Sequence, residues 1–314
     1  MSSQIITKDH GVYLTEQQTT LGIDTFEIDE SVNYLIFTHL QEETLNFLTT
    51  KSCEIPVYLS QNLYWLLQKL VRFKFIAPLS ITCHVLPYSY QVRLGNFKVT
   101  AFNSDDGLYG AIALLIENQK QQKIGYSGAL SSIGAHKKRL KTWKKALHDS
   151  QLDVLLVDNA LQADKHDNLS EVNLQKALLK LLTQQTTPIS AIFSPWNPER
   201  LYRYHQTALS VGWKIIFAKN YANLLHALYP FETFYVSFDS TQENLKQIPV
   251  TSKTILQQTK FDTATVQFVD PVIEDYLHNT RLDAYLQTDL IGLGRAEFNE
   301  LIRYLDAAAV YYYH

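Results

Sequence analysis

The stretch of residues 32–48 constrains what this chain can fold into more than any other segment. Its apolar run, residues 34–37, is short and rich in aromatic and β-branched side chains, which predicts a buried strand. The run stops at Thr38 and His39, and residues 41–48 are richer in helix formers. Proteins of the α/β class often place ligands and metals where a strand ends and a helix begins. The stretch therefore makes His39 a candidate functional residue.

Length and composition set the broad class of the protein. A chain of 314 residues can bury a substantial core, and it is typical of two domains or of one large domain with an insertion. The hydrophobic share of 46% and the aromatic share of 12% predict a chain that is folded throughout. The net charge of -3 gives no general affinity for nucleic acid, so a polyanion would need a local basic patch.

The two cysteines, Cys53 and Cys83, lie far apart in sequence and lack the CxxC spacing of metal and redox sites. We expect them to be buried free thiols of a cytosolic protein. The first residues do not have the pattern of a secretory signal, and no run approaches the roughly 20 apolar residues of a membrane span. These features predict a cytoplasmic protein without a membrane partner.

Short strands and helices alternate along the first half of the chain. After the strand at 34–37, a βα unit is expected at residues 56–60 and 62–73, where leucines recur at helical spacing. Further strands are expected at residues 11–15, 21–24, 82–86, 90–94, 97–102, 111–117, 123–128 and 153–157. This interleaving predicts a layered α/β/β/α domain.

The second half of the chain has a different organisation. A helix is expected to begin at Ser170 or Glu171 and to run to residue 182. Strand, helix, strand and helix then follow one another at residues 188–194, 199–211, 213–218 and 221–228. This order predicts a parallel βαβ arrangement in a second, smaller domain. Residues 287–313 predict a strand, a turn at 292–294, a helix at 296–305 and a last strand at 309–313.

The stretch around His39 resembles the first metal motif of the metallo-β-lactamase fold, in which a strand ends in THxHxDH. The same frame reads THLQEET at residues 38–44. The resemblance implies an α/β fold, an αββα metallo-β-lactamase-like sandwich that opens with the hairpin at residues 11–24.

Residues 197–225 resemble the β-CASP insertion of metallo-β-lactamase ribonucleases, a group that includes ribonuclease J. The similarity rests on the segment NPERL at residues 197–201, which follows a strand and leads through a helix to a second strand. It implies a small inserted β-CASP-like parallel α/β domain. The expected domains are 1–165 and 286–314 for the sandwich and 166–285 for the insertion.

The resemblance also implies a site in which two metal ions activate a hydroxide for attack on a phosphodiester. Of the positions that would hold these ions, His39 and His314 are retained, while Glu43 and Asp106 are carboxylates that can still coordinate. Four other motif positions hold residues that cannot replace the expected ligands: Gln41, Thr44, Ala129 and Leu293. The loss of the bridging carboxylate at Ala129 matters most, because two cations without a shared anion repel each other.

Two functions follow from this pattern and stay open at this point. The first is a catalytically degenerate pseudo-hydrolase without a cofactor, associated with RNA or acting as a scaffold for an active homologue, with homo-oligomer assembly as an option. The second is a phosphodiesterase with one Zn or Mn ion, held by His39 and Asp106 together with Glu43 and His314. Each of these residues also has a plain structural interpretation: a core histidine, a turn aspartate, a helix-start glutamate and a solvated terminus.

The densest positive charge lies in residues 136–145. Lys137, Lys138, Arg139 and Lys141 are candidate phosphate contacts, and Trp143 is a candidate for stacking on a base. The alternative is a solvated helix face whose Leu140, Trp143 and Leu147 pack inward at helical spacing.

Overall fold

The computed structural model describes residues 4–8, 11–28, 31–104, 108–129, 134–158, 170–236, 244–258 and 295–313. Within these ranges the strands are β1 (Gln4–Lys8), β2 (Gly11–Glu16), β3 (Thr19–Ile23), β4 (Tyr34–Ile36), β5 (Val57–Ser60), β6 (Cys83–Leu86), β7 (Gln91–Leu94), β8 (Phe97–Asn103), β9 (Ile112–Glu117), β10 (Lys123–Tyr126), β11 (Val154–Asp158), β12 (Ile189–Ile192), β13 (Lys214–Phe217), β14 (Phe234–Val236), β15 (Leu245–Gln247), β16 (Thr254–Gln258) and β17 (Ala309–Tyr313). The helices in the same ranges are α1 (Glu42–Thr50), α2 (Gln61–Arg72), α3 (Lys137–Asp149), α4 (Glu171–Gln184), α5 (Pro198–Ser210), α6 (Lys219–Leu228) and α7 (Arg295–Leu305).

The first sheet has the strand order β1-β2-β3-β4-β5-β6. The antiparallel hairpin β2–β3 pairs Leu14 with Leu21, and β3, β4, β5 and β6 then run parallel to one another. Parallel neighbours need crossover connections, and α1 and α2 supply them after β4 and β5. The carboxyl ends of β3, β4 and β5 therefore meet at one edge of this sheet.

The second sheet has the order β17-β11-β10-β9-β8-β7. Strands β7 to β10 form an antiparallel meander, whereas β11 and β17 are parallel to β10. A single cluster of buried side chains draws on both sheets, with Val12, Leu14 and Ile36 from the first and Val99, Leu114 and Leu156 from the second. The two sheets thus pack face to face around one core.

Helices cover the outer faces of the two sheets. Trp143 and Leu147 of α3 and Phe298 and Leu301 of α7 form a second apolar cluster with Leu155 and other side chains of the second sheet. On the first sheet, the inward side chains are the buried Ile36 and the half-buried Tyr58, and Leu35, Val57 and Leu59, which alternate with them, are fully buried. On that side Phe47 of α1 packs on Phe37, with ring centroids 5.2 Å apart. The predicted αββα sandwich is confirmed by this arrangement.

The described residues form two compact units. The sandwich comprises Met1–Leu67, Pro78–Asn168 and Leu290–His314, and the second unit comprises Gln68–Ala77 and Leu169–Asp289. The second unit contains a five-stranded parallel sheet of order β12-β16-β13-β14-β15, as its strand–helix alternation predicts. Two of its helices begin at local caps, α4 at Ser170 and α5 at Asn197, with Pro198 in the first turn of α5.

A buried ion pair lies in this second unit. The guanidinium of Arg200 on α5 donates from Nε to Oε1 of Glu171 on α4 over 2.8 Å, and both side chains are almost fully buried. The strand expected from residue 287 and the turn at 292–294 lie outside the described residues. No helix of the described part of the chain has the length and apolar character to cross a membrane.

Candidate functional site

His39 lies at the junction that the sequence predicts. Strand β4 ends at Ile36, Thr38 and His39 follow, and α1 begins at Glu42. Thr38 is completely buried and His39 is 6% exposed. The histidine is therefore enclosed by protein at the carboxyl end of β4.

Asp24, directly after β3, is the hub of the polar cluster around His39. Its Oδ1 accepts the backbone N–H of Thr38 at 2.7 Å, and its Oδ2 accepts the hydroxyl of Thr38 at 2.5 Å. The hydroxyl of Tyr126, at the end of β10, also donates to Oδ2 at 2.8 Å. A carboxylate with three donors is well suited to burial, because each hydrogen bond to a charged group offsets part of its lost hydration.

Hydrogen bonding fixes one proton of the His39 ring. Thr38 Oγ1 uses its single proton on Asp24, so at 3.0 Å it can only accept from His39 Nδ1. Nδ1 therefore carries a proton, 3.8 Å from the Asp24 carboxylate. The other ring nitrogen, Nε2, lies 3.2 Å from the side-chain oxygen Oε1 of Gln41.

Tyr126 serves the cluster as a permanent hydrogen-bond donor. Complete burial raises the pKa of its hydroxyl well above the ordinary value of 10, and the nearby Asp24 and Tyr313 raise it further. Its ring stacks on Tyr313 of β17 with centroids 5.1 Å apart. The phenol therefore stays protonated throughout the physiological pH range.

The other motif positions within the described residues, Glu43, Thr44 and Ala129, do not place a metal-binding side chain beside His39. Thr44 is buried and donates its hydroxyl to the carbonyl of His39 at 3.4 Å, whereas Glu43 is exposed on the first turn of α1. Ala129 is buried and has no donor atom in its side chain. Before it, Gly128 has φ +61°, and an added Cβ would lie 2.5 Å from the carbonyl oxygen of Ile112.

The donor set of the described residues does not fit the metal centre that the fold resemblance implies. No group of three or more His, Cys, Asp or Glu side chains within these ranges is arranged to hold an ion. His39 presents its Nδ1 as a proton donor and its Nε2 to Gln41, so neither nitrogen faces an open position. Asp106, Leu293 and His314 lie outside the described residues, and the single-ion set that includes Asp106 and His314 stays a prediction.

The basic segment forms α3, as the helix-face interpretation expects. Trp143 is buried in the core beneath the helix, together with Leu147, and Leu140 packs beside them. The indole is therefore not available to stack on a base. Lys137, Lys138 and Lys141 are exposed, whereas Lys145 pairs with Asp149 at 2.6 Å. Burial lowers the pKa of Lys144, which lies near Glu300 and Glu297 of α7.

Two members of the site, Asp24 and Tyr126, were not among the residues that the sequence marks as functional. Asp24 follows the apolar run of β3 and precedes a turn, where an aspartate is ordinary. Tyr126 ends an apolar strand and is typical of a core residue. A signal for Asp24 existed, because an acid at the end of a buried parallel strand needs donors, and the Thr38 of the neighbouring strand is one.

Comparison with known proteins shows a fold and no family. No protein-family model matches the sequence, and no curated protein matches it. The chain is similar to the crystal structure of a protein of unknown function from Enterococcus faecalis V583, with a TM-score of 0.71 and 15% identity over 100% of this chain and 94% of that one. That likeness shows a shared fold over the full length of the chain.

Weaker likenesses cover about half of the chain. The metallo-beta-lactamase fold protein YhfI from Bacillus subtilis matches with a TM-score of 0.37 and 13% identity, over 54% of this chain and 71% of that one. CmlA, a diiron beta-hydroxylase from Streptomyces venezuelae, matches with a TM-score of 0.35 and 12% identity, over 50% of this chain and 34% of that one. The strand order and the shared core identify the first unit as an αββα sandwich.

Proposed function

We propose that this protein is a catalytically degenerate pseudo-hydrolase, a metallo-hydrolase-like scaffold that works by binding a partner. In this proposal the second unit corresponds to the β-CASP-like domain of the ribonuclease J group. Its alternation of parallel strands with α5 and α6 supports that correspondence. The favoured partner is RNA, with an active homologue and a second copy of the chain as other partners.

The single observation that carries the proposal is that both ring nitrogens of His39 are occupied by hydrogen-bond partners. The family's mechanism needs a histidine with a free ring nitrogen, next to carboxylates that share the ions. Here Nδ1 donates to Thr38, Nε2 meets Gln41, and Ala129 stands where the bridging carboxylate is expected. A residue set of this kind holds a hydrogen-bonded cluster and not a pair of ions.

The exposed lysines of α3 support RNA as the partner. Lys137, Lys138 and Lys141 have no ion pair with the described residues, so their charges remain available to phosphates. The cytoplasmic location expected from the sequence is supported by Cys53 and Cys83, which are both free thiols.

Metal analysis tests the loss of the hydrolase mechanism. The wild type, His39→Ala and the matched control His84→Ala are purified without chelator, and their Zn and Mn contents are measured by mass spectrometry. His84 is an exposed histidine of β6 outside the cluster. We expect much less than one ion per chain in all three proteins and no hydrolysis of bis(p-nitrophenyl) phosphate with added Zn or Mn. A stoichiometric ion that disappears in His39→Ala but persists in His84→Ala would overturn the proposal, and hydrolysis that depends on that ion would favour the one-metal phosphodiesterase instead.

A further inference from the structure

The carboxyl ends of three neighbouring strands in the first sheet are hydrogen-bonded to the second sheet. Asp24 follows β3 and accepts the hydroxyl of Tyr126 from β10 at 2.8 Å. Thr38 follows β4, and its carbonyl accepts the N–H of Ile112 on β9 at 2.9 Å. Ser60 ends β5, and its hydroxyl donates to the carbonyl of Gly110, just before β9, at 2.5 Å. Each of the three parallel strands thus ends in one bond across the sandwich.

Thr38 and Asp24 join these separate bonds into one network. Asp24 receives both polar hydrogens of Thr38, from the backbone and from the side chain, as well as the hydroxyl of Tyr126. Thr38 in turn accepts from His39 and bonds to Ile112. Because one buried carboxylate serves both sheets, the loss of either hydroxyl leaves Asp24 with one donor fewer and removes a hydrogen bond to a buried charge.

Two glycines at this edge leave no room for a side chain. Gly128 has φ +61° and lies so near Ile112 that a Cβ would be 2.5 Å from its carbonyl oxygen. Gly110 has φ +83°, and a Cβ there would be 2.6 Å from the backbone nitrogen of Leu63. Both contacts are with backbone atoms, which cannot move aside as the end of a flexible side chain can. The edge is therefore closed by main chain as well as by side chains.

We infer that the Asp24–Thr38–Tyr126 network is a metal-independent clamp that fastens the two sheets at the edge where the implied metal centre would lie. The clamp uses protein donors and one buried carboxylate in place of cations bridging the strand ends. Its stability then depends on the two hydroxyl groups that reach Asp24, and it is indifferent to chelators.

A double-mutant cycle measured by hydrogen–deuterium exchange tests this clamp. Thr38→Val removes the hydroxyl but keeps the backbone donor and the shape, and Tyr126→Phe removes only the phenolic oxygen. Exchange is followed by mass spectrometry in peptides that cover residues 34–40 and 110–128. We expect each variant to speed exchange in both peptides at least about tenfold, because each removes a hydrogen bond to a buried charge. The two effects should not multiply in the double variant, because both act through Asp24.

Tyr90→Phe is the matched control, since Tyr90 is 72% exposed. Thr38→Ser keeps the hydroxyl and should exchange as the wild type does. If Thr38→Val does not fold, this variant tests whether the hydroxyl at position 38 is what maintains the clamp. In the wild type, EDTA should leave exchange in both peptides unchanged. The clamp would be overturned if EDTA speeds exchange in the wild type, or if Thr38→Val and Tyr126→Phe exchange at the wild-type rate. It would also be overturned if the effects of these two variants multiply independently, or if Thr38→Ser exchanges tenfold faster than the wild type. None of these results depends on the RNA partner or on the hydrolysis assay.

Discussion

His205 is a residue that the protein keeps uncharged. It is completely buried on α5, where Nε2 meets the carbonyl of Thr233 at 3.1 Å and the ring lies against Phe234 with centroids 5.0 Å apart. Burial lowers its pKa from 6.5 to about 4, and the bond to Thr233 and the charge of Glu232 offset only part of that effect. Between about pH 4 and pH 6.5, His205 is therefore neutral in the folded second unit and protonated in the unfolded chain.

This difference predicts the pH dependence of the second unit. Because the folded pKa lies below the unfolded one, the contribution of neutral His205 to stability is complete above about pH 6.5 and is lost as the pH falls toward about 4. We expect the free energy of unfolding to fall by about 3 kcal/mol over that range, since one pKa unit corresponds to about 1.4 kcal/mol. Urea denaturation at pH 7 and pH 4.5 measures the change. His205→Phe should remove it, and the exposed His84→Gln should leave it in place; an equal pH dependence in His205→Phe would refute the assignment.

At the scale of single residues, the sequence predicted positions better than it predicted partners. The stretch at 34–48 correctly predicted that His39 would follow a strand and precede a helix. It did not predict that Thr38 would give its hydroxyl proton to Asp24, because that contact joins residues 14 apart in sequence whose strands become neighbours only in the fold. Tyr126, 102 residues from Asp24, is further still from anything that a local pattern encodes.

Helix α3 has one face that packs on the core and another that is exposed to solvent. Trp143 and Leu147 face the core, while Lys137, Lys138 and Lys141 face solvent. Its first turn holds basic residues and no acidic ones, a placement that the helix dipole disfavours by a few tenths of a kcal/mol per charge. Basic residues in that position therefore gain nothing from the helix itself, which is consistent with a partner that uses them.

Charge reversal on α3 separates binding from folding. The triple variant Lys137→Glu, Lys138→Glu and Lys141→Glu should lower the affinity for a 20-nucleotide single-stranded RNA at least about tenfold. It should also reduce the slope of log affinity against log salt by about 2, since each lost phosphate contact on a single strand removes about 0.7. Fluorescence anisotropy at several salt concentrations measures both. Its stability should change by less than about 1 kcal/mol, because the three side chains are exposed.

Two controls accompany that experiment. Lys51→Glu, Lys246→Glu and Lys253→Glu together reverse the same number of exposed charges elsewhere and should leave most of the affinity intact. Trp143→Ala should cost about 3–5 kcal/mol of folding free energy, because it empties a buried site of the size of an indole. If the α3 triple variant and the control triple variant bind RNA equally, α3 is an ordinary solvated face.

At the scale of elements, the periodicity of apolar residues predicted most of the helices and strands of the described residues. The predicted helix at 296–305 and strand at 309–313 correspond to α7 and β17, and the predicted strand at 111–117 to β9. The short strands β14, β15 and β16 have no counterpart among the strands predicted from the sequence. Three-residue strands such as β14 and β15 are stabilised by their neighbours in the sheet and carry little signal of their own.

For the whole molecule, the sequence predicted the layers but not the strand order. The alternation of strands and helices was sufficient to expect a sandwich and a parallel α/β unit. Pairings such as Leu155 with Val310, or Ile189 with Ile255, depend on contacts between distant segments, which composition and periodicity do not encode. Fold resemblance supplied the expectation of a metal centre, but it did not supply the hydrogen bonds that His39 makes with Thr38 and Gln41.

The pairing of β11 with β17 has a consequence for how the protein is made. These strands lie side by side in parallel, yet residues 159–308 separate them in the chain. On the ribosome, the nascent strand β11 must wait until that whole intervening segment has been translated before its neighbour emerges. At usual elongation rates of about 5–20 residues per second, this delay is on the order of ten seconds or more. During that interval the apolar segment VLLV of β11 lacks one of its two partner strands and leaves an unpaired edge, which is a template for pairing with another chain.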